Sequence, residues 1–234
     1  GWYIVAAGNR TKDGAVARSM SSALANRFCH LELRSDSKSW TEWAWTHGLH
    51  PSVIGFIGYR PDLLFNMNGD RERGWPSPRT WARVSLEIQL AEEFDLPDRV
   101  LANIIEGLIG AGAAIEFQGF LNWSERLPDV VKMLRCEEDV VIPDRSDQSY
   151  AFISALVHHV REQDDVSEII NGLFDILLAL SDDWCQVAYH DLQLTLAAAS
   201  RFDDLAEIMA HESHRKLESK LVYGLEQIEG EMRE

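Results

Sequence analysis

Apolar residues in the first thirty-odd positions fall in two short unbroken runs rather than at helical spacing. Tyr3-Ile4-Val5-Ala6-Ala7 has no polar residue alternating with its apolar ones, which is how a strand covered on both faces of a parallel sheet looks. Cys29-His30-Leu31-Glu32-Leu33 reads as a second strand. About twenty residues, including a short helix over 21–26, separate the two. That length makes a crossover and predicts parallel strands. Two strands with bare faces are not stable alone, so this piece reads as the end of a larger α/β layer.

Past residue 36 the pattern is helical. Ser39-x-x-Glu42 predicts a capping box for a helix ending at His47, with Gly48 as its stop, and Trp40 and Trp43 packing on the next helix. Pro51 opens another helix to Tyr59, which Arg60-Pro61 ends. Residues 61–76 read as a long loop holding one short turn. From Ser77 a helix continues to about Glu92 with Trp81, Val84, Ile88 and Leu86 inward, and Pro97 begins the next. Gly107, Gly110, Gly112 and the alanines beside them lack a lysine and follow no strand, so they predict close helix packing rather than a phosphate loop. Asp129 starts a short helix. Beyond it three apolar stripes recur at helical spacing, beginning at Tyr150, Ile169 and Trp184, with paired aspartates ahead of several segments. The expected fold is mainly α, a helical bundle with a two-strand parallel remnant at its start.

Three short motifs add candidate chemistry. Ala6-Ala7-Gly8-Asn9-Arg10, Ala23-Leu24-Ala25-Asn26-Arg27-Phe28 and Gly74-Trp75-Pro76-Ser77-Pro78-Arg79-Thr80-Trp81 together resemble the C-terminal part of a MoxR-type AAA+ ATPase. The resemblance covers roughly residues 1–95, and more loosely 110–127. It implies that Asn9 is sensor 1, orienting the attacking water, and that Arg27 is the arginine finger reaching a neighbouring subunit's nucleotide. It implies that Arg79 is sensor 2, at the start of a lid helix. Phosphoryl transfer needs positioning and charge compensation, which an amide and two guanidiniums supply. Two of these residues also have a plain structural use, Asn9 in a turn and Arg27 at a helix C-terminus, whereas Arg79, two residues into a helix, is mildly unfavourable with the dipole and invites an anion nearby.

The resemblance further implies ATP and Mg2+ as cofactors of the longer parent, a homo-oligomeric ring and a protein partner that is remodelled or activated. No Gly-Lys pair occurs, so a G-x-x-x-x-G-K-[ST] loop is absent from this chain. Ile176 to Asp183 mimics an acidic strand end, but the apolar run from Ile169 is too long for a strand and reads as helix. The chain alone is therefore not expected to hydrolyse ATP. The alternative is a non-enzymatic helical interaction or oligomerisation module.

Composition sharpens the division of the chain. Of its 234 residues 46% are hydrophobic, ample for a core. Its net charge of -16 is uneven: residues 1–135 hold 16 acidic and 15 basic side chains, whereas 136–234 hold 22 and 7. An acidic surface disfavours nucleic acid and anionic membranes. The expected domains are 1–36, the end of an α/β core; 37–136, the lid and its extension; and 137–234, an acidic helical domain. Three cysteines without C-x-x-C spacing read as reduced and cytoplasmic. Glu207, His211, Glu212 and His214 fall one residue short of H-E-x-x-H, so no metal site is expected, and His158-His159 reads as one packed and one solvent-facing ring.

Overall fold

The structure, a computed structural model, describes residues 2–8, 20–67, 74–124 and 127–221. Packing divides the chain into two compact units, residues 1–34 and 35–234.

Among the described residues of the first unit one helical turn forms, α1 (Ser22–Ala25), capped by the Ser21 side chain. The expected strands at 3–7 and 29–33 are not seen: among the described residues no strand forms. Tyr3, Ile4, Val5, Leu31 and Leu33 are 81–95% exposed. The physical reason was already in their composition, since an unalternating apolar run gains nothing from pairing unless both faces are covered.

The second unit is a helical bundle. Among the described residues its helices are α2 (Ser37–Thr46), α3 (Pro51–Tyr59), α4 (Pro78–Glu93), α5 (Asp98–Ile109), α6 (Ala111–Ser124), α7 (Val130–Leu134), α8 (Ser146–Glu162), α9 (Ile170–Ala179), α10 (Asp182–Ala198) and α11 (Phe202–Ala210), followed by a helical stretch over 214–221. Two 3-10 turns, Pro61–Leu63 and Val166–Glu168, link elements.

Helix α3 lies at its centre because nearly every face of it is apolar: Val53, Ile54, Phe56 and Ile57 are all buried. It packs on α2, α4, α6 and α8, and α8 in turn packs on α10, which returns to α2. Phe56, Trp81, Phe117 and Phe120 form one aromatic cluster with ring centroids 5.1–5.5 Å apart, tying α3 to α4 and α6. Helices on both sides of residues 137–147, where the charge changes, share one core: α7 packs on α8 and α9, and α6 on α8.

Local starts and stops differ from expectation in instructive ways. Helix α2 begins two residues before Ser39, because Asp36 takes the cap and accepts from the Ser39 amide at 2.8 Å. Gly48 stops it with φ +65, as expected of a glycine there. Trp40 and Trp45 are buried, but Trp43 is 41% exposed and stacks on His47. Asp182 and Asp183 stand inside the first turn of α10, with Ser181 at its cap. On α4 the buried residue beside Val84 is Ser85, whose hydroxyl accepts from the His50 amide at 2.7 Å, while Leu86 faces outward.

Candidate functional site

The first turn of α4 is the best-organised of the expected sites. Ser77 caps it and accepts from the Thr80 amide at 3.2 Å, while the Ser77 amide donates to Thr80 Oγ1 at 2.8 Å. Pro78 occupies the first helical position, where its missing amide hydrogen costs nothing. The usual glutamate of such a box is replaced by Thr80. No acidic residue therefore stands in this turn.

The turn is held from several sides. The Trp81 indole donates to the Leu63 carbonyl at 2.8 Å, the Asn66 amide donates to the Pro76 carbonyl at 3.1 Å, and Thr80 Oγ1 donates to the Trp75 carbonyl at 3.0 Å. Gly74 approaches so closely that a Cβ there would sit 2.1 Å from the Gly107 carbonyl oxygen. Glycine is required at Gly74 by space, not by backbone angle. A Cβ added at Gly107 or Gly112, both expected in close helix packing, would instead meet nothing within 4 Å, and the two line a cavity of about 800 Å³ together with Asn66 and Trp75. Glu116, also on its wall, is occupied by an ion pair with Arg60, whose fork also meets Asp62 at 2.9 Å.

Arg79 stands at the second position of α4 and is exposed. Among the described residues its guanidinium has no hydrogen bond or ion pair. A cation in that turn adds to the positive end of the helix dipole instead of opposing it, and no local acid offsets the two. An exposed, unbalanced positive end of this kind suits an anion.

Arg27 belongs to the other unit. It follows α1 in a turn closed by its own amide donating to the Leu24 carbonyl at 3.0 Å, and its side chain is exposed without a partner among the described residues. Asn9 lies outside the described residues.

The weaker constellations disperse. His211 stacks on Phe174 with centroids 4.3 Å apart, while His214 Nε2 meets the Tyr189 hydroxyl at 3.0 Å, so the two rings serve different contacts. Among the described residues no three His, Cys, Asp or Glu side chains gather closely enough to hold a metal ion. His158 and His159 are both half-buried, where one solvent-facing ring was expected. Among the described residues no helix is long and apolar enough to cross a membrane.

Sequence reasoning missed a second cavity, of about 420 Å³, where α2, α3, α8 and α10 meet. Asp191 lies on its wall, its carboxyl pushed up to about 6 by burial and by the Glu42 charge, against the opposing effects of Trp45 and His190. The only signal in the sequence was an acid directly preceding Leu192 of the third apolar stripe. Comparison of the chain with family models, with curated proteins and with solved structures finds no match.

Proposed function

We propose that the chain is the C-terminal part of a MoxR-like AAA+ ATPase, working as a cytoplasmic ring oligomer that couples ATP hydrolysis to remodelling or activation of a protein partner. In this reading Arg79 is sensor 2 on a helical lid, Arg27 is the arginine finger, and Asn9 orients water. The phosphate-binding loop and the acids that hold Mg2+ come from polypeptide other than these residues; residues 37–136 are the helical lid and its extension, and residues 137–234 the acidic helical domain.

The observation that carries the reading is Arg79, an exposed guanidinium without a partner among the described residues, on an acid-free, firmly anchored first turn of α4. Those are the properties a γ-phosphate contact needs: a fixed fork, a permanent charge and no competing carboxylate. The exposed apolar side chains at Tyr3, Ile4, Val5, Leu31 and Leu33 suit segments that join a larger sheet.

The test uses a polypeptide that carries a G-x-x-x-x-G-K-[ST] loop and an acidic strand end ahead of this chain. Titration with a fluorescent ATP analogue is expected to show Arg79→Ala weakening affinity by about 10-fold, the scale of one charge-assisted contact. Arg27→Ala is expected to leave binding intact and lower turnover of the assembled oligomer by about 10³-fold. Unchanged affinity in Arg79→Ala, together with unchanged turnover in Arg27→Ala, would leave the helical interaction module as the description of this chain.

A further inference from the structure

We propose that the cavity between α2, α3, α8 and α10 receives an arginine or lysine side chain from a basic segment of a protein partner. This does not rest on the nucleotide reading of Arg79, which concerns a different face of the second unit.

The cavity combines an apolar wall with uncompensated acid. Ile54 and Ile57 of α3 and Ile153 of α8, all at most 2% exposed, contribute to its lining. Walls of that kind accept the methylene stem of a long cationic side chain. Gly55 lets α3 approach α8 closely at the cavity wall: a Cβ there would come within 2.8 Å of the Ser154 hydroxyl oxygen. Ser154 is only 4% exposed, lines the cavity, and has no hydrogen-bond partner among the described residues. Its hydroxyl is reached from the cavity and can donate to, or accept from, a group that enters.

The charges around the cavity are only partly balanced by the protein. Glu42 and Lys38 come from α2, Tyr150 from α8, and His190 and Asp191 from α10, while α3 contributes no titratable group. The Asp191 carboxylate lies in no ion pair among the described residues, and Glu42 meets only His190, at 3.8 Å. Lys38 is exposed and pairs with neither carboxylate. An acid in no ion pair among the described residues, Asp191, beside one that meets only a histidine, Glu42, on a partly apolar space is an arrangement that a guanidinium or ammonium relieves.

Charge also decides between a polypeptide and a free small cation. The described residues of 136–221 carry 18 acidic against 6 basic side chains, so the region that supplies α8 and α10 favours a cation beyond the two acids of the cavity. A segment with several basic residues gains from all of it. A lone guanidinium gains only from Asp191 and Glu42.

The experiment is calorimetric titration of the 234-residue chain with three probes at about pH 7: a nine-residue peptide bearing three arginines, the same peptide with citrulline in their place, and n-butylguanidinium. The arginine peptide is expected to bind, with the citrulline peptide at least about 10-fold weaker and n-butylguanidinium weaker still. Asp191→Asn keeps the side-chain shape and removes a charge that burial disfavours, so it folds, and it is expected to lose about 10-fold in affinity for the arginine peptide. Val187→Phe, which fills the cavity, is expected to lose binding as well. Affinity of the unaltered chain rises as Asp191 ionises between about pH 5 and 7. Equal binding of the arginine and citrulline peptides, or unchanged affinity in Asp191→Asn, would overturn the proposal. So would n-butylguanidinium binding as tightly as the peptide, since that describes a small-molecule site.

Discussion

The indole nitrogen of Trp81 donates to the main-chain oxygen of Leu63 at 2.8 Å, inside a core where Trp81 is wholly buried. This bond joins the start of α4 to the turn that follows α3, eighteen residues earlier in the chain. It sits two positions after Arg79, so it helps hold the backbone turn that carries that residue. Trp81→Phe keeps an aromatic ring against Phe56 and Phe117 but strands the Leu63 oxygen and leaves a gap. A loss of about 3 kcal/mol is expected in denaturant unfolding, from the unsatisfied carbonyl and the lost volume together. Amide exchange should quicken first at Thr80 and Trp81, whose amides donate to Ser77. An unchanged midpoint would mean that the aromatic cluster alone holds the turn.

Gly172 tests whether the residues before and after 137–147 unfold together. A Cβ at this position would lie 2.2 Å from the Leu134 carbonyl oxygen and 2.6 Å from that of Met133, so α9 rests directly on the backbone of α7. Replacing a mid-helix glycine with alanine ordinarily stabilises a helix by about 0.5–1 kcal/mol. Here the sign is expected to reverse, with Gly172→Ala costing about 3 kcal/mol because backbone cannot yield as a flexible side chain can. Unfolding of the second unit should stay a single transition at a lower midpoint. Two separated transitions would show that the regions are independent.

Two sets of buried groups should pull stability in opposite directions between about pH 4 and 7. Burial holds His50, His158 and His159 below the ordinary histidine value of 6.5, against the pull of Glu92 on His50, of Glu162 on His158, and of Asp129 and Glu162 on His159. The unfolded chain therefore binds protons more readily than the folded one, and their contribution is fully present above about pH 6.5 and lost as pH falls. Asp191 has the reverse sign. Its folded value of about 6 lies above the ordinary 3.8, so its contribution is present at low pH and lost as pH rises through 6. Urea unfolding across this range should show Asp191→Asn stabilising the protein by about 2–3 kcal/mol near pH 7.5 and by much less near pH 4. Replacing His158 and His159 with glutamine should flatten the acid side of the profile. A stability gain in Asp191→Asn that does not vary with pH would show that its carboxyl is not the titrating group.

Much of the helical architecture was determined by local chemistry that any reader of the sequence can follow. Ser77-Pro78 starts α4, Pro51 starts α3, Gly48 ends α2, and Asp129 starts α7, because caps, prolines and a left-handed glycine act within a few residues of themselves. The apolar stripes from Tyr150, Ile169 and Trp184 became α8, α9 and α10 for the same reason: helical spacing places them on one face. Tertiary structure alone decided which groups meet across the bundle. Asp36 rather than Ser39 caps α2, Trp43 faces out while Trp45 is buried, and the unalternating run at 3–7 stays unpaired, since each outcome depends on what surface lies opposite. Arg79 could be singled out from its motif, but its lack of a partner among the described residues could not, because that depends on where every nearby carboxylate comes to rest. The cavity at Asp191 was invisible for the same physical reason: four helices far apart in the chain build it, and periodicity carries no information about what remains between them.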